Sequence, residues 1–248
     1  MIEIRGLTKS LGGRLVLDHV TCTIEQRKTT VFIGPSGVGK TVLIKHIVGL
    51  LQPDAGEILM DGVDITKLSE DKLYKVRMKF GMLFQDAALF DSMTVFENVA
   101  FPLRHHTQKK EREIEEIVER KLRQVGMPGI GQKMPAELSG GMRKRVGLAR
   151  ALALDPEIVL FDEPTSGLDP VMADTVDKLI KQTQQDLGIT FIVISHDIPS
   201  TFQIAHNIGM IYQGRLIEYG PKEKIQNSAN PILRQFFSRQ AEGPMQVV

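Results

Sequence analysis

A single cysteine, Cys22, is all the thiol chemistry this 248-residue chain carries. One thiol excludes an internal disulfide and fits a reducing compartment. An excess of either charge is lacking too. Thirty-one basic residues against 30 acidic ones leave a net charge of +1, so no global field draws the chain to nucleic acid or to anionic lipid. No uncharged apolar run approaches the roughly 20 residues needed to span a bilayer, and Met1–Arg5 has no signal-peptide core. Any membrane role is therefore expected to run through a partner. Internal repeats and low-complexity tracts are missing as well.

What is present is an ordinary globular composition, 42% hydrophobic and 25% charged, able to bury a large core. The first third reads as strands and turns. Ile2 and Ile4 alternate with Glu3 and Arg5, Leu15–Val20 is a second apolar stretch, and Gly12-Gly13 is the turn between them. Thr29–Ile33 is β-branched and apolar, and the stretch from Lys40 to Leu51 carries the apolar spacing of a buried helix. The segment 108–125 is dense in charge but keeps Ile114, Ile117, Val118, Leu122 and Val125 on one stripe, which predicts a solvated amphipathic helix. Pro156–Asp162 and Thr190–Ser195 read as buried strands around a helix over Val171–Leu187. Continuous apolar strands separated by helices imply parallel pairing with both faces covered. The expected fold class is α/β, with an N-terminal β layer and a helical insertion over about 86–152.

Gly34-Pro35-Ser36-Gly37-Val38-Gly39-Lys40-Thr41 fits the pattern G-x-x-x-x-G-K-[ST], with a strand before it and a helix after it. The glycines let successive backbone N–H groups converge on phosphate oxygens, and the helix adds its positive end. Lys40 is expected to neutralise the β- and γ-phosphates and the Thr41 hydroxyl to ligate Mg²⁺. Downstream, the apolar strand Ile158–Phe161 runs into Asp162-Glu163. Acids at the carboxyl end of a parallel strand stand where ligands bind in open α/β sheets. Asp162 suits a metal and Glu163 an attacking water; a strand entering a solvated acidic turn has the same pattern.

Leu138-Ser139-Gly140-Gly141-Met142, between these two motifs, resembles the signature loop of ABC cassettes. Gln85 is similar to the Q-loop glutamine of that family, Ser166-Gly167-Leu168-Asp169 to its D-loop, and His196 to its switch histidine. The resemblance covers nearly the whole chain. It implies one cassette over 1–248 with a RecA-like core lobe (about 1–85 and 153–238), the helical insertion, and a tail over 239–248. It further implies an ATPase using ATP and Mg²⁺. Glu163, His196, Gln85 and Lys40 would be catalytic, Thr41, Gln85 and Asp162 would serve the metal, and residues 34–41 would hold the nucleotide. Ser139, Gly140, Gly141 and Asp169 would contact nucleotide across a head-to-tail dimer with a second copy.

The sequence departs from the family pattern at two positions. Met142 replaces the usual glutamine, and Leu11 stands where an adenine-stacking aromatic is usual. The stretch 80–103 and the Met142 loop resemble the ATPase subunits of Mla-type phospholipid transport systems of double-membrane bacteria. That implies a cassette held at the cytoplasmic face of the inner membrane by a permease docking near residues 86–103. A lipid-binding MCE-domain protein would be an indirect partner. Leu89, Phe90, Met93 and Phe96 are candidates for an exposed docking groove, with core packing as the plain alternative. Arg143-Lys144-Arg145 reads as the wet face of the signature helix, and the tail as frayed or as a brace for the dimer. A soluble ABC ATPase, such as an iron–sulfur scaffold component, is the rival reading, and no nucleic-acid partner is expected.

Overall fold

Alternation of apolar and polar residues at the start builds an antiparallel ribbon with one buried face. The computed structural model describes residues 1–245. In it β1 (Ile2–Leu11) and β2 (Arg14–Ile24) join through Gly12-Gly13, both at positive φ. Then come β3 (Thr29–Ile33), α1 (Lys40–Ile47), β4 (Ala55–Met60) and β5 (Val63–Asp64). The middle holds α2 (Glu70–Arg77), β6 (Phe80–Leu83), α3 (Val95–His106), α4 (Glu111–Gln124) and α5 (Gly140–Ala151). Next are β7 (Ile158–Asp162), α6 (Pro170–Leu187), β8 (Thr190–Ile194) and α7 (Ile198–Ile204). β9 (Asn207–Tyr212), β10 (Arg215–Pro221), α8 (Lys222–Gln226) and α9 (Pro231–Ser238) complete the order.

These elements gather into two compact units, one from 1–67 with 194 onward and one from 68–193. In the first, an antiparallel sheet has the order β2-β1-β4-β5, with Ile2 opposite Ile24 and Met60 and Ile4 opposite Cys22 and Ile58. Buried β3 pairs parallel to β9, and β9 pairs antiparallel to β10. Asp18 ties the two layers, its N–H donating to the Gly214 carbonyl (2.8 Å) and its carboxylate accepting from Arg215 (2.6 Å). The helix expected to reach Leu51 ends at Ile47. Gly49, at φ +68°, closes it, and the Leu50 N–H returns to the Lys45 carbonyl (2.8 Å), a glycine-capped helix end.

The second unit carries strands in the order β8-β7-β6, with β6 parallel to β7, beneath α3 to α6. Within this unit β6 packs closely on α5. An added Cβ at Gly81 would run into the Ala151 carbonyl, and one at Gly147 would lie 2.6 Å from Leu83 Cδ1. The charged helix, α4, buries Ile114, Val118 and Leu122 as its stripe predicts, and carries exposed i,i+4 pairs such as Arg123–Glu119 (3.3 Å). Lys121 is the exception. Buried on the same face, it reaches Asp155 at 2.5 Å.

Candidate active site

In the first unit the phosphate loop occupies the six residues between β3 and α1. Three of its glycines hold positive φ, and two are also sterically required. A Cβ at Gly34 would meet the Ile211 carbonyl, and one at Gly39 would lie 2.8 Å from the Val16 carbonyl. At Gly37, φ +76°, no atom stands within 4 Å of an added Cβ, so that side of the loop is open to a ligand. Gly39 caps α1 without a side-chain acceptor, which leaves first-turn N–H groups for an anion. The Lys40 ammonium lies over the loop, donating to the carbonyls of Gly34 and Pro35, both at 2.8 Å. This cradle suits phosphate. Thr41 is exposed beside it, and His196 is exposed just after β8. A cavity of about 470 Å³ beside His196 is lined in part by Gln235, Phe236, Arg239 and Met245. Leu11 is exposed at the end of β1.

In the second unit β7 is buried up to Phe161, and half-buried Asp162 ends it. Glu163 follows at φ +51°, a left-handed conformation uncommon for a residue with a side chain. The Ser166 N–H donates to the Glu163 carbonyl (3.1 Å) and closes that turn. Gln85 Nε2 donates to Ser166 Oγ at 3.3 Å, so the glutamine and the turn after the acids are in contact. Ser139 caps α5, its hydroxyl accepting from Met142 N–H at 3.3 Å. A Cβ on Gly141 would collide with the Met172 methyl, and one on Gly140 would lie 3.2 Å from Leu168. The signature glycines are thus dictated by the D-loop and α6 packing on them. Asp169 caps α6, accepting from the N–H groups of Val171 and Met172 at 3.0 Å each.

Two expectations are corrected here. Arg143-Lys144-Arg145 is not a wet face, since only Arg143 is exposed and Lys144 is 5% accessible. The Lys144 ammonium donates to the Gln85 carbonyl and, at 3.4 Å, to the Glu163 carbonyl. Burial pushes its pKa down, while the charges of Asp86, Glu163 and Asp162 pull it back up. Helical periodicity contained that signal, because Lys144 falls on one stripe with Gly141, Leu148 and Ala151, all buried. Of the four residues expected to be exposed in the docking groove, only Phe90 is; Leu89, Met93 and Phe96 are half-buried. Phe84, exposed just before Gln85, was not among them.

The segment after Gln85 is held by two residues that pattern reading passed over. Ala87 and Ala88 sit at φ +59° and +45°. Arg150 donates to their carbonyls at 2.6 and 2.8 Å, and its guanidinium lies 5.7 Å from the Phe90 ring centre. Asn98 is fully buried. Its amide donates to the carbonyls of Phe90, Met93 and Thr94 at 3.0–3.1 Å and accepts from the Phe90 N–H at 2.8 Å.

A family model described as ABC transporter matches residues 17–166. The chain is 47% identical over 244 residues to a probable ribonucleotide transport ATP-binding protein of Mycobacterium tuberculosis (strain H37Rv), covering 98% of this chain and 68% of that one. It is 41% identical over 245 residues to the intermembrane phospholipid transport system ATP-binding protein of Escherichia coli (strain K12), covering 99% and 91%. Among solved structures, cbiO1 from Clostridium perfringens, part of the ABC transporter complex cbiONQ, matches with a TM-score of 0.85 at 31% identity, over 91% of this chain and 90% of that one. A dimeric post-hydrolysis state of the ATP-binding cassette MJ0796 bound to ADP and Pi matches at 0.80 and 29%, over 90% and 99%.

Proposed function

The chain belongs to the ABC transporter family, and from that premise we propose that it powers phospholipid transport as one of two identical cassettes beneath a membrane permease. It is an ATP-hydrolysing subunit of a transport system. The lipid assignment is carried by one observation: a relative named for intermembrane phospholipid transport matches 99% of this chain and 91% of its own length. Mycobacterial relatives named for ribonucleotide transport are more identical, but the match spans 68% of their length. A ribonucleotide cargo is therefore the second reading.

The division of labour follows from the residues. Residues 34–41 hold the nucleotide phosphates, with Lys40 spreading their charge. Thr41, Gln85 and Asp162 are the residues that would hold magnesium, which when bound would neutralise phosphate charge. Glu163 orients and deprotonates water, and His196 donates toward the terminal phosphate. Ser139, Gly140, Gly141 and Asp169 serve the partner copy's nucleotide, so a lone chain hydrolyses slowly. Phe84 and Phe90, exposed on either side of 85–89, offer apolar contact to a permease segment at the inner membrane's cytoplasmic face. No helix among the described residues is long and apolar enough to cross a membrane, so attachment runs through that permease.

Expression with the products of neighbouring genes, purification, and ATPase assay beside Glu163→Gln tests the proposal. Co-purification of a permease and an MCE-domain protein, with activity lost in the variant, is the expected result. Activity lost in the variant with only soluble partners present overturns the transport reading. Stimulation by ribonucleotides but not by phospholipid vesicles would favour the second reading.

A further inference from the structure

Helix α9 ends on an arginine where glycine is the usual residue. The Gln240 N–H returns to the Gln235 carbonyl and the Arg239 N–H to the Phe236 carbonyl, both at 3.3 Å. This paired closure places Arg239 just past the helix at φ +55°, the left-handed position that glycine most often fills. Glycine takes that conformation without strain, and a residue with a Cβ does not. The arginine is thus kept against the local preference of the backbone, which calls for a reason in its side chain. That side chain is exposed and has no ion pair or hydrogen-bond partner among the described residues.

Arg239 lines one cavity of the first unit together with His196. Asp197 is the one acid in that lining. Its carboxylate caps α7, accepting from the Ser200 N–H at 3.3 Å. A permanent cation and a histidine against one helix-capping carboxylate favour an anionic occupant. Phe236 and Met245 line this cavity and also close, from the C-terminal end, a second one of about 730 Å³ at the phosphate loop. Pro35–Val38 form one side of that second cavity, and Arg14, Leu15, Val16 and Gln213 are among its other walls, whereas Leu11 takes no part in them. The His196 cavity therefore adjoins the phosphate end of the site.

Met245 is fixed between the two by a side-chain clamp. Gln235, 5% accessible, accepts from the Met245 N–H at 2.6 Å and donates to the Gln240 carbonyl at 3.3 Å. Gly243 passes so close that any Cβ would strike the Gln235 amide. Residues 239–245 therefore form a pinned strap rather than a frayed end, while 246–248 lie outside the described residues. Arg239 is the first residue of that strap, so the clamp that fixes Met245 also fixes the base of the arginine.

We propose that the cavity shared by His196 and Arg239 is a phosphate-binding pocket, with Arg239 as a cation for the reaction in addition to Lys40. The inference rests on the ATPase reading, in which His196 donates toward the terminal phosphate. A phosphate group at His196 is a multiply charged oxyanion. An unpaired guanidinium in the same cavity matches it in charge and in its fork of donors. Two sources share this chemistry: the terminal phosphate of bound ATP, and the inorganic phosphate left when water has cleaved it from ADP.

The test uses the full chain, assayed as for Glu163→Gln above. Arg239→Gly removes the backbone strain and the guanidinium together. Glycine suits that helix end, so the variant should melt no lower than wild type. Its kcat should fall at least about tenfold, set against the roughly 100- to 1,000-fold that one preorganised donor can contribute. A residue that only shaped the helix end would not separate the two readouts. Arg239→Lys, which keeps a cation, should stay within about threefold of wild type. Added inorganic phosphate, as a product inhibitor, distinguishes the sources. A lower kcat with unchanged phosphate inhibition assigns the pocket to the terminal phosphate of ATP. Inhibition weakened by about tenfold assigns it to the released phosphate. Wild-type kcat with wild-type phosphate inhibition in Arg239→Gly overturns the inference, as does a gain in activity. Equal losses in Arg239→Lys and Arg239→Gly also overturn it, since charge would then not be what the pocket uses. Should Arg239→Gly melt well below wild type, Arg239→Gln carries the same comparison. A wild-type chain without ATPase activity sinks the ATPase reading itself, whereas an active wild type matched by Arg239→Gly sinks this inference alone.

Discussion

Replacing Lys144 with methionine keeps most of the buried stem and removes only the ammonium. In the folded chain that ammonium donates to the carbonyls of Gln85 and Glu163 and faces Asp86, Glu163 and Asp162. A hydrogen bond from a charged donor contributes about 1.5–3 kcal/mol, and each carbonyl left buried without a partner costs about 1–3 kcal/mol. Against this, the variant no longer holds a cation out of water, which offsets part of the loss. The 3.4 Å contact is near the limit of a hydrogen bond, so most of the effect comes from Gln85. A net destabilisation of about 1–3 kcal/mol follows, or a Tm lower by roughly 2–12 °C at this chain length. The functional loss should be larger than the structural one. Gln85 and Glu163 are anchored through the same ammonium, and a shift of about 1 Å in a positioned group can cost on the order of 100-fold in rate. Steady-state ATPase assays and thermal melts on Lys144→Met and Lys144→Gln read both quantities. The expected pattern is kcat down at least tenfold in Lys144→Met, with ATP affinity within about threefold of wild type. Lys144→Gln, which keeps a donor, should lie between. Wild-type kcat and Tm in Lys144→Met would refute the bridging role.

Three further outcomes follow from other parts of the molecule. Asn98→Leu removes three donated bonds and one accepted bond inside the segment after Gln85, so it should destabilise by about 2–4 kcal/mol and weaken permease association in pull-downs, which Phe90→Ser should also do without a fall in Tm. His46 is buried on α1 and burial pushes its pKa below the usual 6.5. The unfolded chain then binds more protons below pH 6.5, so stability is full above that value and declines on acidification; melts from pH 7 to 5 should show the decline, and His46→Met should flatten it. Gly141→Ala places a methyl against the Met172 side chain, so ATPase activity should fall and Met172→Ala should restore part of it.

Much of the site was legible because its chemistry depends on short-range pattern. The phosphate loop needs glycines where side chains would strike Ile211 and Val16, and those glycines sit in eight consecutive residues. The buried strands β3, β7 and β8 announced themselves as unbroken apolar runs, within two residues of their observed ends. Asp162 and Glu163 followed from the end of such a run. What pattern alone could not supply was the destination of long polar side chains. Lys144 has the same composition signal as Arg143 beside it, yet one helical step of about 100° sends it inward to carbonyls 59 and 19 residues away in sequence. Asn98 and Arg150 are likewise ordinary letters until the segment they hold is folded around them.

Local sequence therefore determined the family, the phosphate cradle, the acid pair and the order of strands and helices, because backbone conformation and hydrophobic period act over a few residues. Tertiary structure alone decided which polar groups are buried, that Phe236 and Met245 close the cavity beside the loop, and that Gln235 pins the strap. The lining of that cavity gathers residues 220 positions apart, from Val16 to Phe236, and no periodicity of a single segment encodes such a meeting.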